Sequence, residues 1–198
     1  NDLNPESFKY LNDNNRRNKT EGFVECYNVD GNEFIRSCTT NLLGLLAKHP
    51  DGTITEKNAV RRNKKIKTNA GKTSDCRVSK IAIPKFYSHF VMNLPDSALE
   101  FLPSFIGCYS NPMYRALIES EELFELPYVH VYCFEKFSPF EKPAPSMEEL
   151  ERRVYNKITK LLGCETINAS FHLVRMVAPT KPMFCVSFML PRSIAFKE

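Results

Sequence analysis

The sequence has no run of about 18 apolar residues, so no segment reads as crossing a membrane. It has no G-x-G-x-x-G turn and only seven glycines in 198 residues, so the glycine-rich phosphate loop of a dinucleotide site is missing. None of its seven cysteines forms a C-x-x-C pair. Their odd number and scatter argue against a disulfide framework or a zinc site. Several lie in apolar runs, as in Tyr132-Cys133-Phe134 and Phe184-Cys185-Val186, and read as free buried thiols of a reducing compartment. His49, His89, His130 and His172 lack ligand spacing, and no Ser-His-Asp or Cys-His arrangement can be drawn. No metal centre is expected. His130 and His172 fall in strand-like runs and read as packed side chains. The opening N-D-L-N-P-E-S has no initiator Met and no basic region before an apolar stretch, so it is not read as a signal peptide.

What is present suits one domain with a sizeable core: 42% apolar and 25% charged residues. The net charge of +4 is unevenly spread. Between Lys57 and Lys85 stand ten Lys or Arg against one acid, Asp75, a local +9; the remaining 17 basic and 22 acidic residues give −5. This basic insertion, about residues 47–80, is poor in large apolar residues and reads as a mobile loop. Its cluster of Arg61, Arg62, Lys64 and Lys65 suits a phosphate backbone, or is simply a solvated face.

Asn4-Pro5-Glu6 predicts a helix start: a cap, a first-turn proline and an acid at the positive end of the dipole. The polar run Asn12-Asp13-Asn14-Asn15 should end that helix. Phe23 to Val29 reads as a strand closed by Asp30-Gly31, and Asn32 to Leu46 as one helix. Phe90 to Met92 reads as a short buried strand, with a helix from about Asp96 to Phe105. Residues 107–126 carry no clear pattern. Tyr128 to Phe134 predicts a strand. Ser146 with Glu149 has a capping-box form, an apolar helical period follows through Leu162, and Gly163 sits where a terminal glycine belongs. Phe171 to Val177 and Phe184 to Leu190 predict a closing hairpin. The alternation gives an α/β sheet ending antiparallel, the second part of a doubly wound sheet. Its first strand and glycine-rich loop are not in the sequence, which is therefore expected to be a piece of a longer protein or one partner of a split one.

Three polar positions stand at predicted strand ends or helix starts, where ligands of open α/β sheets bind. Asp2 precedes the first helix and suits ribose hydroxyls, or merely flanks the helix. Asp30 can reach an adenine amino group while Gly31 lets a ring approach the backbone; the pair is also an ordinary Asp-Gly turn. Asn93-Leu94-Pro95 ends a buried strand on an amide that stays neutral and both donates and accepts. Pro95 stiffens the backbone there. Such an amide can hold a nucleobase edge beside an electrophile, or simply cap the next helix.

The segments N-D-L-N-P-E-S, N-V-D-G-N-E-F-I-R, F-V-M-N-L-P-D-S-A-L-E-F-L and V-R-M-V-A-P-T-K-P-M-F-C-V-S-F together resemble the eukaryotic, and particularly fungal, tRNA (guanine-37-N1)-methyltransferases. The resemblance spans the chain apart from the basic insertion and residues near 107–126. It implies the C-terminal portion of a class I S-adenosylmethionine-dependent, Rossmann-like methyltransferase sheet. It further implies Asp2 and Leu3 at the cofactor ribose, Asp30 and Gly31 at the adenine, and Asn93 at the methyl-donor and guanine site. Pro95, Arg61, Arg62, Lys64 and Lys65 are then expected to meet the RNA. The family carries its acid/base glutamate, a stabilising arginine, its glycine-rich strand and its tRNA-gripping domains upstream. This chain alone is therefore expected neither to bind cofactor tightly nor to methylate tRNA. A monomeric parent in cytoplasm, nucleus or mitochondrial matrix is implied. Rival readings are the wybutosine-pathway aminocarboxypropyl transferase, from which N-L-P sets the chain apart, a non-catalytic RNA-binding fragment, and small-molecule methyl transfer.

Overall fold

Helix α5, Met147–Leu162, shows most directly how this sequence makes its core. Ser146 Oγ accepts from the Glu149 N–H at 3.2 Å, and Gly163 ends the helix in the left-handed region at φ 65°. Leu150, Val154, Ile158 and Leu162, spaced by four, are fully buried. Each contributes roughly 1.5–3 kcal/mol by leaving water. They belong to the same core as a sheet whose inward side chains alternate: Val129, Val131 and Cys133 on one strand, Phe184, Val186 and Phe188 on its neighbour.

The computed structural model describes residues 1–57, 78–164 and 167–198. A four-stranded sheet has the order β3-β4-β6-β5, with β3 at His89–Met92, β4 at Tyr128–Phe134, β5 at Ala169–Ala178 and β6 at Lys181–Met189. β3 and β4 are parallel; β6 lies antiparallel between β4 and β5. This is the α/β sheet with a terminal antiparallel hairpin that the sequence pattern predicts. Ala178 pairs with Lys181, leaving Pro179-Thr180 as the turn. The C-terminal ends of β3 and β4 and the start of β6 therefore share one rim of the sheet.

Several elements differ from expectation. Helix α1 runs Pro5–Asn18, through the asparagine run. Asn15 is buried and donates to the Val24 carbonyl at 3.0 Å, Asn12 donates back to Phe8 O at 2.9 Å, and Lys19 closes the helix at φ 58°. Side-chain bonds thus outweigh the weak helix preference of asparagine. Residues 23–29 form no strand. They run against residues 1–3 and make one backbone bond there, Asp2 N–H to Tyr27 O at 3.1 Å, with the other links supplied by asparagine side chains.

The single helix expected over Asn32 to Leu46 is two, α2 at Gly31–Arg36 and α3 at Cys38–Lys48, broken at Ser37. The basic insertion is not a loop at its ends. β1, Thr53–Lys57, pairs antiparallel with β2, Val78–Ala82. The cluster Arg61, Arg62, Lys64 and Lys65 lies outside the described residues. After β3 comes a 3-10 helix, Ala98–Phe105, in place of an α-helix. Pro103 within it has no N–H to give. Helix α4, Pro112–Glu119, occupies the stretch without pattern, and α6, Arg192–Ala195, closes the chain. His172 is exposed, not packed. Among the described residues every cysteine is a free thiol, no helix is long and apolar enough to cross a membrane, and no cluster suits a metal.

Candidate functional site

A cavity of about 500 Å³ runs beside β3. One wall is the start of the chain, a second is the Asp30-Gly31 corner of α2, and the third is β3 with the turn behind it. Asp2, Leu3, Asp30, Gly31 and Asn93 all line it. Pro95 and the described rim beyond it do not.

Asparagines fix the first wall. Asn1 Nδ2 donates to Val29 O at 3.0 Å while its Oδ1 accepts from Val29 N–H at 3.2 Å. Asn28 Nδ2 donates to the Asp2 and Leu3 carbonyls at 2.7 and 2.9 Å. Asp2 Oδ1 accepts from the Asn4 N–H at 2.9 Å. Asp30 caps α2, its Oδ1 accepting from the Asn32 N–H at 2.8 Å. That N–H holds the Asp30 carboxyl below the usual carboxylate range, so it is ionised at neutral pH. Each acid thus has a structural task for one oxygen.

Asn93 has no such task. It is exposed, and its side chain makes no hydrogen bond among the described residues. The turn behind it is made by backbone: Leu94 O accepts from Ser97 and Ala98 N–H at 2.9 and 2.7 Å. The amide is therefore not a helix cap. The ring that closes on Gly31 is Phe101, whose carbons stand 3.0 Å from where a Cβ would be.

Asn1, Phe34, Tyr87, His89 and Phe101 line the cavity as well, with no local signal that marks them for it. They are gathered by tertiary packing, as when Tyr87 donates to the Cys38 carbonyl at 3.1 Å. His89 Nδ1 lies 3.0 Å from His130 Nε2, and His130 Nδ1 lies 2.8 Å from Ser187 Oγ. Burial first, and His89 second, lower the His130 pKa below 6.5. The unfolded chain then takes up that proton more readily than the folded one, so stability falls as pH drops through 6.5 toward the folded value. His130→Gln should flatten that part of a stability-against-pH curve measured by denaturant unfolding.

Over its whole length the chain is similar to part of a set of curated fungal proteins. The chain is 49% identical over 205 residues to the tRNA (guanine(37)-N(1))-methyltransferase of Candida albicans, covering 100% of this chain and 43% of that protein. The chain is a homologue of the fungal tRNA (guanine(37)-N(1))-methyltransferases. Their Saccharomyces cerevisiae member is 39% identical, covering 98% of this chain and 39% of that protein. The Schizosaccharomyces pombe member is 41% identical over 198 residues, covering 100% and 41%. The chain thus spans about two fifths of the length of these methyltransferases. No family model matches it. Among solved structures, Trm5b from Pyrococcus abyssi gives a TM-score of 0.31 at 19% identity, over 52% of this chain and 24% of that one, too slight a likeness to bear on the fold.

Proposed function

We infer that this chain supplies one side of a site where N1 of guanine 37 in a tRNA is methylated, with S-adenosylmethionine as donor. The single observation carrying this is that Asp2, Asp30 and Asn93 line one cavity in a homologue of the guanine-37 methyltransferases. The donor fits the residues present. Two carboxylates suit ribose hydroxyls and an adenine amino group, Phe34 and Phe101 give apolar walls, and the volume lies in the usual range for such ligands. When bound, S-adenosylmethionine supplies an electrophilic methyl group.

The chain's own residues bind and orient. Asp2, with Leu3 beside it, accepts from the ribose, and Asp30 from the adenine amino group, with Gly31 keeping that corner low. Asn93 holds the guanine edge: its N–H₂ donates toward O6, where negative charge grows as N1 loses its proton. Being neutral, it is not the base that takes that proton. In this reading the base lies in the three fifths of the relatives' length that the chain does not match. Pro95 keeps the Asn93 backbone stiff, and Arg61, Arg62, Lys64 and Lys65 meet tRNA phosphates. The 198 residues alone are expected to leave tRNA unmodified.

The full-length protein should add one methyl to an unmodified transcript bearing guanine 37. Product mass after nuclease digestion checks this. An aminocarboxypropyl adduct, or methyl transfer only to another nucleotide, overturns it.

A further inference from the structure

Asn93 stands one residue beyond the last ladder pair of β3, Met92 with Val131, and its own side chain has no partner among the described residues. The Leu94 O bonds to Ser97 and Ala98 N–H shape the turn that carries it, and a side-chain link ties that turn to the strands beyond β3. Lys181, the first residue of β6, reaches that turn from two strands away. Its Nζ lies 3.7 Å from the centre of the Phe134 ring, at the end of β4, and 3.5 Å from Asp96 Oδ1, three residues past Asn93. The order β3-β4-β6 makes this link a bridge over the end of β4.

The two partners are unequally placed: the Lys181 side chain is 22% exposed and that of Asp96 is 78% exposed. An ion pair at this distance on the rim adds little stability, and the ammonium over the ring is held by the face of Phe134 rather than by the acid. The ring seats the cation, and the seated cation tethers the turn. Its backbone is anchored in turn by the two-residue hairpin through Ala178.

We propose that Lys181 is a positioning residue for Asn93, acting through Asp96 and seated by Phe134. This rests on the role given to Asn93 above. Lys181 touches neither donor nor base; it sets where the amide points, and small misplacement at a reacting centre is costly.

The test is a double-mutant cycle in the full-length protein, scored on single-turnover methyl transfer to whichever nucleotide it modifies. Lys181→Ala and Asp96→Ala should each slow transfer about tenfold, with donor affinity unchanged, and the double variant should be no slower than either alone. Lys181→Arg, which keeps both the ring contact and the acid contact, should restore most of the rate. Because Asp96→Asn preserves shape, it should reproduce the Asp96→Ala loss without affecting folding. Multiplying losses, about 100-fold in the double variant, would show Lys181 acting independently and overturn the proposal. So would full activity in either single variant. The nucleotide modified by the wild type is read separately, so a wrong base condemns the proposed function and additive losses condemn this link.

Discussion

Replacing Asn93 by alanine is expected to slow methyl transfer about 100-fold in the full-length protein, the scale seen when one aligned donor is removed from a developing negative charge. Donor affinity should change little, because Asp2 and Asp30 are left in place on the other walls. Stability should not change either: the side chain is exposed and unbonded among the described residues. Asn93→Asp is the sharper variant. It keeps the shape but places a carboxylate against the charge growing on O6, and should be at least as slow as alanine. Single-turnover rates and thermal unfolding together check both statements. A rate loss tracking a loss of melting temperature would assign Asn93 to the fold.

The largest expected stability effect lies away from the site, at Gly107. Its φ is +71°, and a Cβ there would stand 2.6 Å from the Lys197 carbonyl oxygen. That backbone is fixed, since Gly107 N–H donates to Ile194 O and Tyr109 N–H to Ala195 O, both at 2.8 Å. Left-handed backbone alone costs a non-glycine residue roughly 1–2 kcal/mol, and the overlap adds to it. Gly107→Ala should therefore cost more than about 2 kcal/mol, a fall of roughly 4–8 °C in a chain of this size. Gly163 is the control. Its φ is +65° but nothing lies within 4 Å of its Cβ position. Asparagine tolerates the left-handed region, so Gly163→Asn should be mild and Gly107→Asn as harmful as alanine. Equal tolerance at the two sites would remove the contact with Lys197 from the explanation.

Where a local signal and tertiary packing agreed, the sequence was readable. Helix α5 had its serine cap, its apolar period and its closing glycine, β4 had clean alternation, and the terminal hairpin had two apolar runs joined by a short Pro-containing link. Helix α4 could have been read too. Asn111-Pro112 repeats the Asn4-Pro5 start of α1, and Asn111 Oδ1 accepts from Met113 and Tyr114 N–H at 2.9 and 3.4 Å. Other misreadings had no local remedy. Asn15 stays helical because Val24 and Thr20 bind it from outside the helix. The run from Phe23 to Val29 looks like a strand by composition, yet Phe23 and Val24 are exposed and, among the described residues, no strand pairs with them. For the site, the polar residues at Asp2, Asp30 and Asn93 were legible because strand ends and helix starts place such residues at a crevice. The aromatic walls were not, since Phe101 reaches Gly31 through an irregular 3-10 turn with no periodic signature.

The proposed methyl transfer requires the cavity beside β3 to be the donor site. Titration calorimetry of the full-length protein with S-adenosylhomocysteine tests this most directly, comparing wild type with Asp2→Ala and Asp30→Ala. Each substitution should weaken binding by about tenfold or more, the scale of a lost hydrogen bond to a charged group, while tRNA affinity holds. Unaltered affinity in both variants would place the donor elsewhere and contradict the account.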